Sequence, residues 1–253
     1  MLLAIDIGNT SVHLGVFKED ALISSCSLDN RVINTSQADF RELLRSAIPH
    51  HVKAAIFSSV NPKVEVFITE CLEKYYSLKP QCIGKDIPVP IPVLTDHPER
   101  TGTDRLVNAV AAFERIKNWI VIIDAGTAIT LDVINNKGAF LGGIIAPGIK
   151  TSSKALHHYT AFLPEVFVHK PEHVLGKNTE DAVNSGIYWG TVGMVSNLIH
   201  MLCNELKCTP TIVATGGDAK ILAQEIPLIA NVIPDLTLQG IRIVYKANLA
   251  SLK

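Results

Sequence analysis

Two short stretches of this chain place a carboxylate where an apolar strand ends: IDIGNT at 5–10 and IDAGTA at 123–128. Each acid, Asp6 or Asp124, is followed two residues later by a glycine and then by small residues, Asn9 and Thr10 or Thr127 and Ala128. A strand–Asp–x–Gly–small–small–strand unit makes a tight hairpin. Glycine lets the backbone turn sharply and approach a ligand closely. Hydroxyls and backbone N–H groups there suit an anion. An aspartate beside a phosphate would repel it unless a cation lies between them, and Mg²⁺ is held by one or two carboxylates plus substrate phosphates. The pair therefore reads as two seats for a polyphosphate. The competing reading is two ordinary turns whose aspartates cap local N–H groups. Two aligned copies, and a third glycine turn TGGDA at 215–219, favour the first.

Asp104 offers a different chemistry. It follows a Thr-Gly-Thr turn, 101–103, at the start of a predicted helix, where backbone donors can fix its geometry. Phosphorylating an alcohol requires positioning, charge neutralisation and a carboxylate that orients the hydroxyl and accepts its proton. An acid meeting a helix macrodipole would look the same in sequence. Arg105 beside it carries a guanidinium fork suited to a carboxylate; a surface arginine or a salt bridge to Asp104 is the alternative.

Those residues sit in a chain of 253 residues that is 47% apolar and 19% charged, with a formal net charge of −1. Such a composition supports a real core and excludes wholesale disorder. It lacks the basic excess of a nucleic-acid or membrane-surface protein, so neither partner is expected. No segment approaches the ~20 apolar residues of a membrane span. MLLAI stops at Asp6 without the pattern of a signal peptide, and the expected place is the cytoplasm. Cys26, Cys71, Cys82, Cys203 and Cys208 form no CxxC pair, which predicts reduced, mostly buried thiols.

The elements that must hold these groups follow from periodicity. Residues 2–6, 11–17 and 21–28 read as a strand meander, with helices near 37–47 and 62–76 around a strand at 53–60. The four prolines in KDIPVPIPVLTDHPE, 85–99, mark an extended connector. A helix runs to about 117. WIVIIDAG, AITLDVI and GAFLGGIIAPG read as three strands, followed by a helix at 148–157. A long helix at 179–205, capped by Asn178 or Thr179, carries Ile187, Thr191, Met194, Leu198 and Leu202 on one stripe. A strand and glycine turn, a helix at 219–225 and a last segment at 235–247 complete the chain.

AIDIGNTSVHLGVF can be set on IIDAGTAITLDVIN, so that Asp6, Gly8 and Asn9 fall on Asp124, Gly126 and Thr127. This spacing is too long for a solenoid repeat of 20–50 residues. It predicts two similarly folded domains, 1–103 and 104–253, with the boundary inside 101–118.

DIGNT, DAGTA and TGGDA resemble the two phosphate loops and the adenosine loop of the acetate and sugar kinase, Hsp70 and actin superfamily. GTDR at 102–105, with DHPERTGTDRLVNAVAA, GGIIAPG, LGKNTEDAVNSGIYWG, ATGGDA and DLTLQGIRIVY, resembles one family within it, type III pantothenate kinase, over residues 2–248. The resemblance implies an α/β fold of duplicated ribonuclease-H-like domains with an active-site cleft between them. It implies ATP-dependent phosphorylation of pantothenate, the first step of coenzyme A synthesis, with Mg²⁺ and a monovalent cation, K⁺ or NH₄⁺. A non-catalytic, nucleotide-binding accessory or regulatory paralogue is the alternative, against which the retained Asp6, Asp104, Asp124 and Thr127 speak.

Residue by residue, the resemblance assigns Asp6, Ile7, Gly8, Asn9, Thr10, Ser11, Val12 and His13 to the first ATP loop and Thr127 to ATP. It gives Asp124 to the monovalent cation and Asp104 to the base. Gly102, Thr103, Asp104, Arg105 and Thr179 are the substrate set. Thr179 is equally complete as a plain helix cap, and His13 as an ordinary strand residue. His157 and His158, beyond the APG turn, receive no role. Thr95 stands where many relatives carry a substrate-contacting tyrosine, a departure that bears on substrate affinity rather than chemistry. Gly186, Gly190 and Gly193 on the long helix each cost about 1 kcal/mol against alanine. They predict close packing, either at the seam of the homodimer the resemblance implies or against an element of the same chain.

Overall fold

In the computed structural model, which describes residues 1–35, 37–48 and 52–251, the first strand β1 (Leu2–Ile7) is buried throughout except at Asp6. It runs antiparallel to β2 (Ser11–Lys18), which pairs antiparallel with β3 (Ala21–Asp29). Helices α1 (Asn30–Thr35) and α2 (Gln37–Ala47) lead to β4 (Ala54–Ser59), which lies parallel to β1. Helix α3 (Pro62–Tyr76) begins at Asn61, whose side chain accepts the Val64 N–H, with Pro62 in the first turn where its missing donor costs nothing. The short β5 (Gln81–Cys82) completes the sheet order β3-β2-β1-β4-β5. Beyond the proline-rich connector, a 3₁₀ turn at Pro98–Arg100 precedes α4 (Thr103–Ile116).

The second sheet repeats this plan. Strands β6 (Ile120–Ala125), β7 (Ala128–Ile134) and β8 (Phe140–Pro147) are followed by α5 (Ile149–Tyr159) and α6 (Thr179–Leu206). Then come β9 (Thr211–Thr215), α7 (Ala219–Glu225) and β10 (Ile229–Val232). The order is β8-β7-β6-β9-β10, with β6 antiparallel to β7 and parallel to β9. The two five-stranded α/β sheets thus share one topology, as a duplicated ribonuclease-H-like fold requires. Asp6 pairs with Ser58 and Asp124 with Thr215 across the parallel neighbours, but Asp6 faces His13 and Asp124 faces Thr130 across the hairpins, so the second hairpin is one residue shorter than the first.

By packing, one unit comprises Met1–Arg115, Gly138–Phe140 and Asp235–Lys253, and the other Ile116–Lys137 and Leu141–Pro234. The chain therefore first changes units at 115/116, with nearly all of α4 in the first. The final helix α8 (Leu236–Ser251) also packs there, against β1, β2 and β4. Strand alternation sends Leu3, Ile5 and Ile7 to a core shared with α3, through Val64, Phe67, Ile68 and Leu72. Leu2 and Ala4 point the other way, into a core with Val107 and Val110 of α4 and Leu238, Ile241 and Val244 of α8. Both faces of the central strand are covered, which explains its continuous apolar run. Asp6, next in alternation after Leu2 and Ala4, belongs to the α4 face.

In the second unit, Tyr188, Val192, Val195 and Ile199 of α6 pack on Val121, Ile123, Leu131 and Ile212. The predicted stripe is therefore displaced. Ile187 and Thr191 are buried, but Met194, Leu198 and Leu202 are only half-buried at the margin. The helix is apolar on more than one side, so spacing alone does not select the inner face. Asn178, not Thr179, is its cap, accepting the Asp181 N–H at 2.9 Å. All five cysteines are free; Cys71 and Cys82 are buried and the other three half-buried. Among the described residues no helix is long and apolar enough to cross a membrane.

Candidate active site

The first turn of α4 is built around Asp104. Its carboxylate accepts the Arg105 N–H at 2.8 Å. A Cβ at Gly102 would stand 2.5 Å from Asp104 Oδ1, so only glycine leaves the carboxylate room. Thr103 anchors the turn: its hydroxyl lies 2.8 Å from the hydroxyl of Ser58, a fully buried residue and the register neighbour of Asp6. Asp6 and the Asp104 turn are thereby linked through one strand residue on one face of one sheet. Burial pushes the Asp104 carboxyl above its ordinary range, against the opposing pull of the Arg105 backbone and guanidinium. A carboxylate of raised pKa is a stronger proton acceptor. The Arg105 guanidinium lies 5.4 Å from the centre of the Phe140 ring.

The first hairpin turns over Gly8–Ser11, where the Gly8 N–H donates to Ser11 O at 3.0 Å. Asn9 and Thr10 are exposed at its tip. Ser11 and His13 bond side chain to side chain at 3.0 Å. Desolvation by the surrounding protein lowers the His13 pKa, with Asp235 opposing. That pairing is a sufficient structural role for His13.

The second hairpin is ringed by glycine turns. The Gly126 N–H donates to Ala128 O at 3.0 Å. The Gly148 N–H donates to Thr127 O at 3.1 Å, and a Cβ at Gly148 would collide with Gly126 O. Gly216, at φ +91°, approaches so closely that a Cβ there would lie 2.5 Å from Ala125 O and 2.7 Å from Asp124 Oδ1. The Asp218 N–H closes the contact on Ala125 O at 3.0 Å. The TGGDA turn therefore lies directly against DAGTA, and α7 behind it is tied to α6 by the Tyr188 hydroxyl, which donates to Glu225 at 2.9 Å. Desolvation raises the Asp218 carboxyl, opposed by Lys150.

Each hairpin offers one carboxylate, Asp6 or Asp124, beside a glycine turn. No cluster of three or more His, Cys, Asp or Glu suited to a metal exists among the described residues. A cation here would rely on one carboxylate completed by phosphate oxygens, the arrangement Mg²⁺ favours.

Thr179 and Asn178 line a groove of about 1120 Å³ between α5 and α6, together with Gly186, Gly190, Leu156 and Tyr159. Among the described residues, a Cβ at Gly186, Gly190 or Gly193 would meet nothing within 4 Å. No described element of the same chain covers these glycines, against the reading that they admit one. Tyr159, which lines the groove, is exposed, as are Phe162, Phe167, Val174 and Leu175 in the segment that joins α5 to α6.

The family model for type III pantothenate kinase matches residues 2–201. The chain belongs to the type III pantothenate kinase family. A type III pantothenate kinase from Myxococcus xanthus is 38% identical over 257 residues, covering 99% of this chain and all of its own length. Among solved structures, a Campylobacter jejuni protein described as a Baf family transcriptional activator shares the fold at a TM-score of 0.60 and 24% identity, with 98% of this chain and 99% of that one covered. Component A of (R)-2-hydroxyglutaryl-CoA dehydratase from Acidaminococcus fermentans does so at 0.52 and 14%, with 99% and 98% covered. At such identities the likeness is one of fold alone.

For a pantothenate kinase sequence, several structural participants escaped pattern reading. Ser58 is an unremarkable strand serine until register puts it beside Asp6. Asn30 lies outside every quoted motif, yet its side chain donates to Gly8 O at 2.8 Å. Gly148 lies within the quoted GGIIAPG, but nothing in that run announces its contact with residue 126. His157 bonds Leu163 O through Nδ1 at 2.8 Å, and His158 stacks edge-on with Tyr159. Thr95, in the tyrosine's place, lies 3.2 Å from the Thr101 hydroxyl.

Proposed function

We propose that the protein transfers the γ-phosphoryl group of ATP to the 4′-hydroxyl of pantothenate, the first step of coenzyme A synthesis. The observation that carries this reading is the Asp104 carboxylate, held by glycine and backbone geometry on the same sheet face as Asp6. Asp104 orients the substrate hydroxyl and accepts its proton. Arg105 offers its guanidinium to the pantothenate carboxylate, and Thr179 helps place the substrate. Asp6 and the Gly8–Ser11 turn hold the phosphates, with His13 at the loop's edge. Thr127 and the TGGDA turn serve the nucleotide.

Mg²⁺ held through Asp6 would neutralise charge on the transferring phosphates. Asp124 is the ligand proposed for a monovalent cation, K⁺ or NH₄⁺. The α5–α6 groove is proposed to seat a second copy of the chain. The open glycine stripe and the exposed aromatics support this homodimer, and Thr179 would then lie beside the subunit seam. An accessory role without catalysis is not favoured, because the chain matches relatives named type III pantothenate kinase over nearly its whole length. ADP release measured with Mg²⁺ and K⁺, with and without pantothenate, tests the reading.

A further inference from the structure

The two hairpins repeat in sequence but are held differently from behind. In the first, Asn30 captures two carbonyls: its backbone N–H donates to Thr10 O at 2.9 Å and its Nδ2 to Gly8 O at 2.8 Å. Asn30 is 6% exposed, and its Oδ1 has no hydrogen-bond partner among the described residues. Burying an unsatisfied amide oxygen is costly, and the bond from Nδ2 to Gly8 O offsets that cost. In the second hairpin the captured carbonyl is that of Thr127. It accepts the Gly148 N–H at 3.1 Å and the Thr151 hydroxyl at 2.6 Å.

A trans peptide points its N–H opposite to its C=O, and the chain contains no cis peptide among the described residues. Capture of the Gly8 and Thr10 carbonyls therefore turns the N–H groups of Asn9 and Ser11 away from Asn30. Capture of the Thr127 carbonyl turns the Ala128 N–H away from α5. Fixed N–H groups of this kind are what an anion binds without reorganisation.

We infer that Asn30 and Thr151 are positioning residues for the nucleotide, each presetting the peptide donors of one hairpin. The inference rests on the proposed ATP role of those hairpins. It also explains how one repeated motif serves two tasks: the first turn is fixed at Gly8 and Thr10, the second at Thr127, so different N–H groups are presented.

The test compares Asn30→Ala, Thr151→Val and Thr151→Ser in steady-state kinetics, with melting curves as the control for folding. Asn30→Ala and Thr151→Val should each raise the KM for MgATP about tenfold, the scale of one lost preorganising hydrogen bond. The KM for pantothenate should stay within about twofold, and Thr151→Ser should restore the wild-type value because it keeps the hydroxyl. Should Asn30→Ala fail to fold, the valine–serine pair at 151 decides alone. Folded variants with an unchanged KM for MgATP, or with both KM values raised alike, overturn the inference. So does a Thr151→Ser as impaired as Thr151→Val. Wild-type protein that neither binds MgATP nor uses it would instead overturn the ATP reading itself and this inference with it.

Discussion

The hydroxyls of Ser58 and Thr103 lie 2.8 Å apart and tie the strand beside Asp6 to the turn that carries Asp104. Ser58 is fully buried, and the Thr103 hydroxyl is otherwise left with a 3.5 Å contact to Ser59 O. Ser58→Ala should cost about 1 kcal/mol in chemical denaturation, the scale of one lost intramolecular hydrogen bond. It should also lower kcat more than it raises the KM for ATP, because the slackened turn carries the base. Unaltered stability with unaltered kcat would show that the link positions nothing.

Gly102→Ala tests the carboxylate's room directly. The new Cβ would stand 2.5 Å from Asp104 Oδ1, so the carboxylate must rotate off the Arg105 N–H. A misplacement of that order costs up to ~100-fold in rate. We expect kcat to fall by about 10- to 100-fold with a melting temperature close to wild type.

The pH dependence has a definite sign. Burial raises the Asp104 pKa, so the acidic limb of kcat/KM for pantothenate should lie above the ordinary aspartate value of about 3.9. Activity is lost as pH falls through that limb, because the base becomes protonated. For stability the folded state holds this proton more tightly than the unfolded chain, so this group's contribution falls as pH rises between the two pKa values. Asp104→Asn should therefore melt higher than wild type at neutral pH, with the gap narrowing in acid. An Asn variant that melts lower at neutral pH would contradict the assigned burial cost.

The glycine stripe on α6 gives an assembly prediction. Gly190→Leu places a branched side chain into the groove, where none of the described residues lies within 4 Å of a Cβ. The folded variant should be monomeric in a solution mass measurement in which wild type is dimeric. A dimer retained in full would place the seam elsewhere.

Much of this was legible in sequence because its causes are local. The 62–76 helix carries its own start and stop signals, Asn61 with Pro62 at one end and the left-handed Ser77 at the other. The Asp6–Asp124 repeat is readable because both strands are buried on two faces and end on the same turn. What escaped depends on pairings distant in sequence. β5 and β10 have two and four residues and form edges with little period to detect. Ser58, Asn30 and Thr151 matter only through partners 45, 22 and 24 residues away. The inner face of α6 is hidden because the helix carries apolar residues on more than one side, so only the sheet beneath it selects which side is buried.

The central claim is that Asp104 activates pantothenate for phosphoryl transfer from ATP. Its most direct test is ADP release by wild type and Asp104→Asn side by side, with Mg²⁺ and K⁺, in the presence and absence of pantothenate. The account predicts pantothenate-dependent release by wild type and a loss of about 100- to 10,000-fold in the folded Asn variant. Wild-type release that ignores pantothenate, or an Asn variant with near-full kcat, would contradict it.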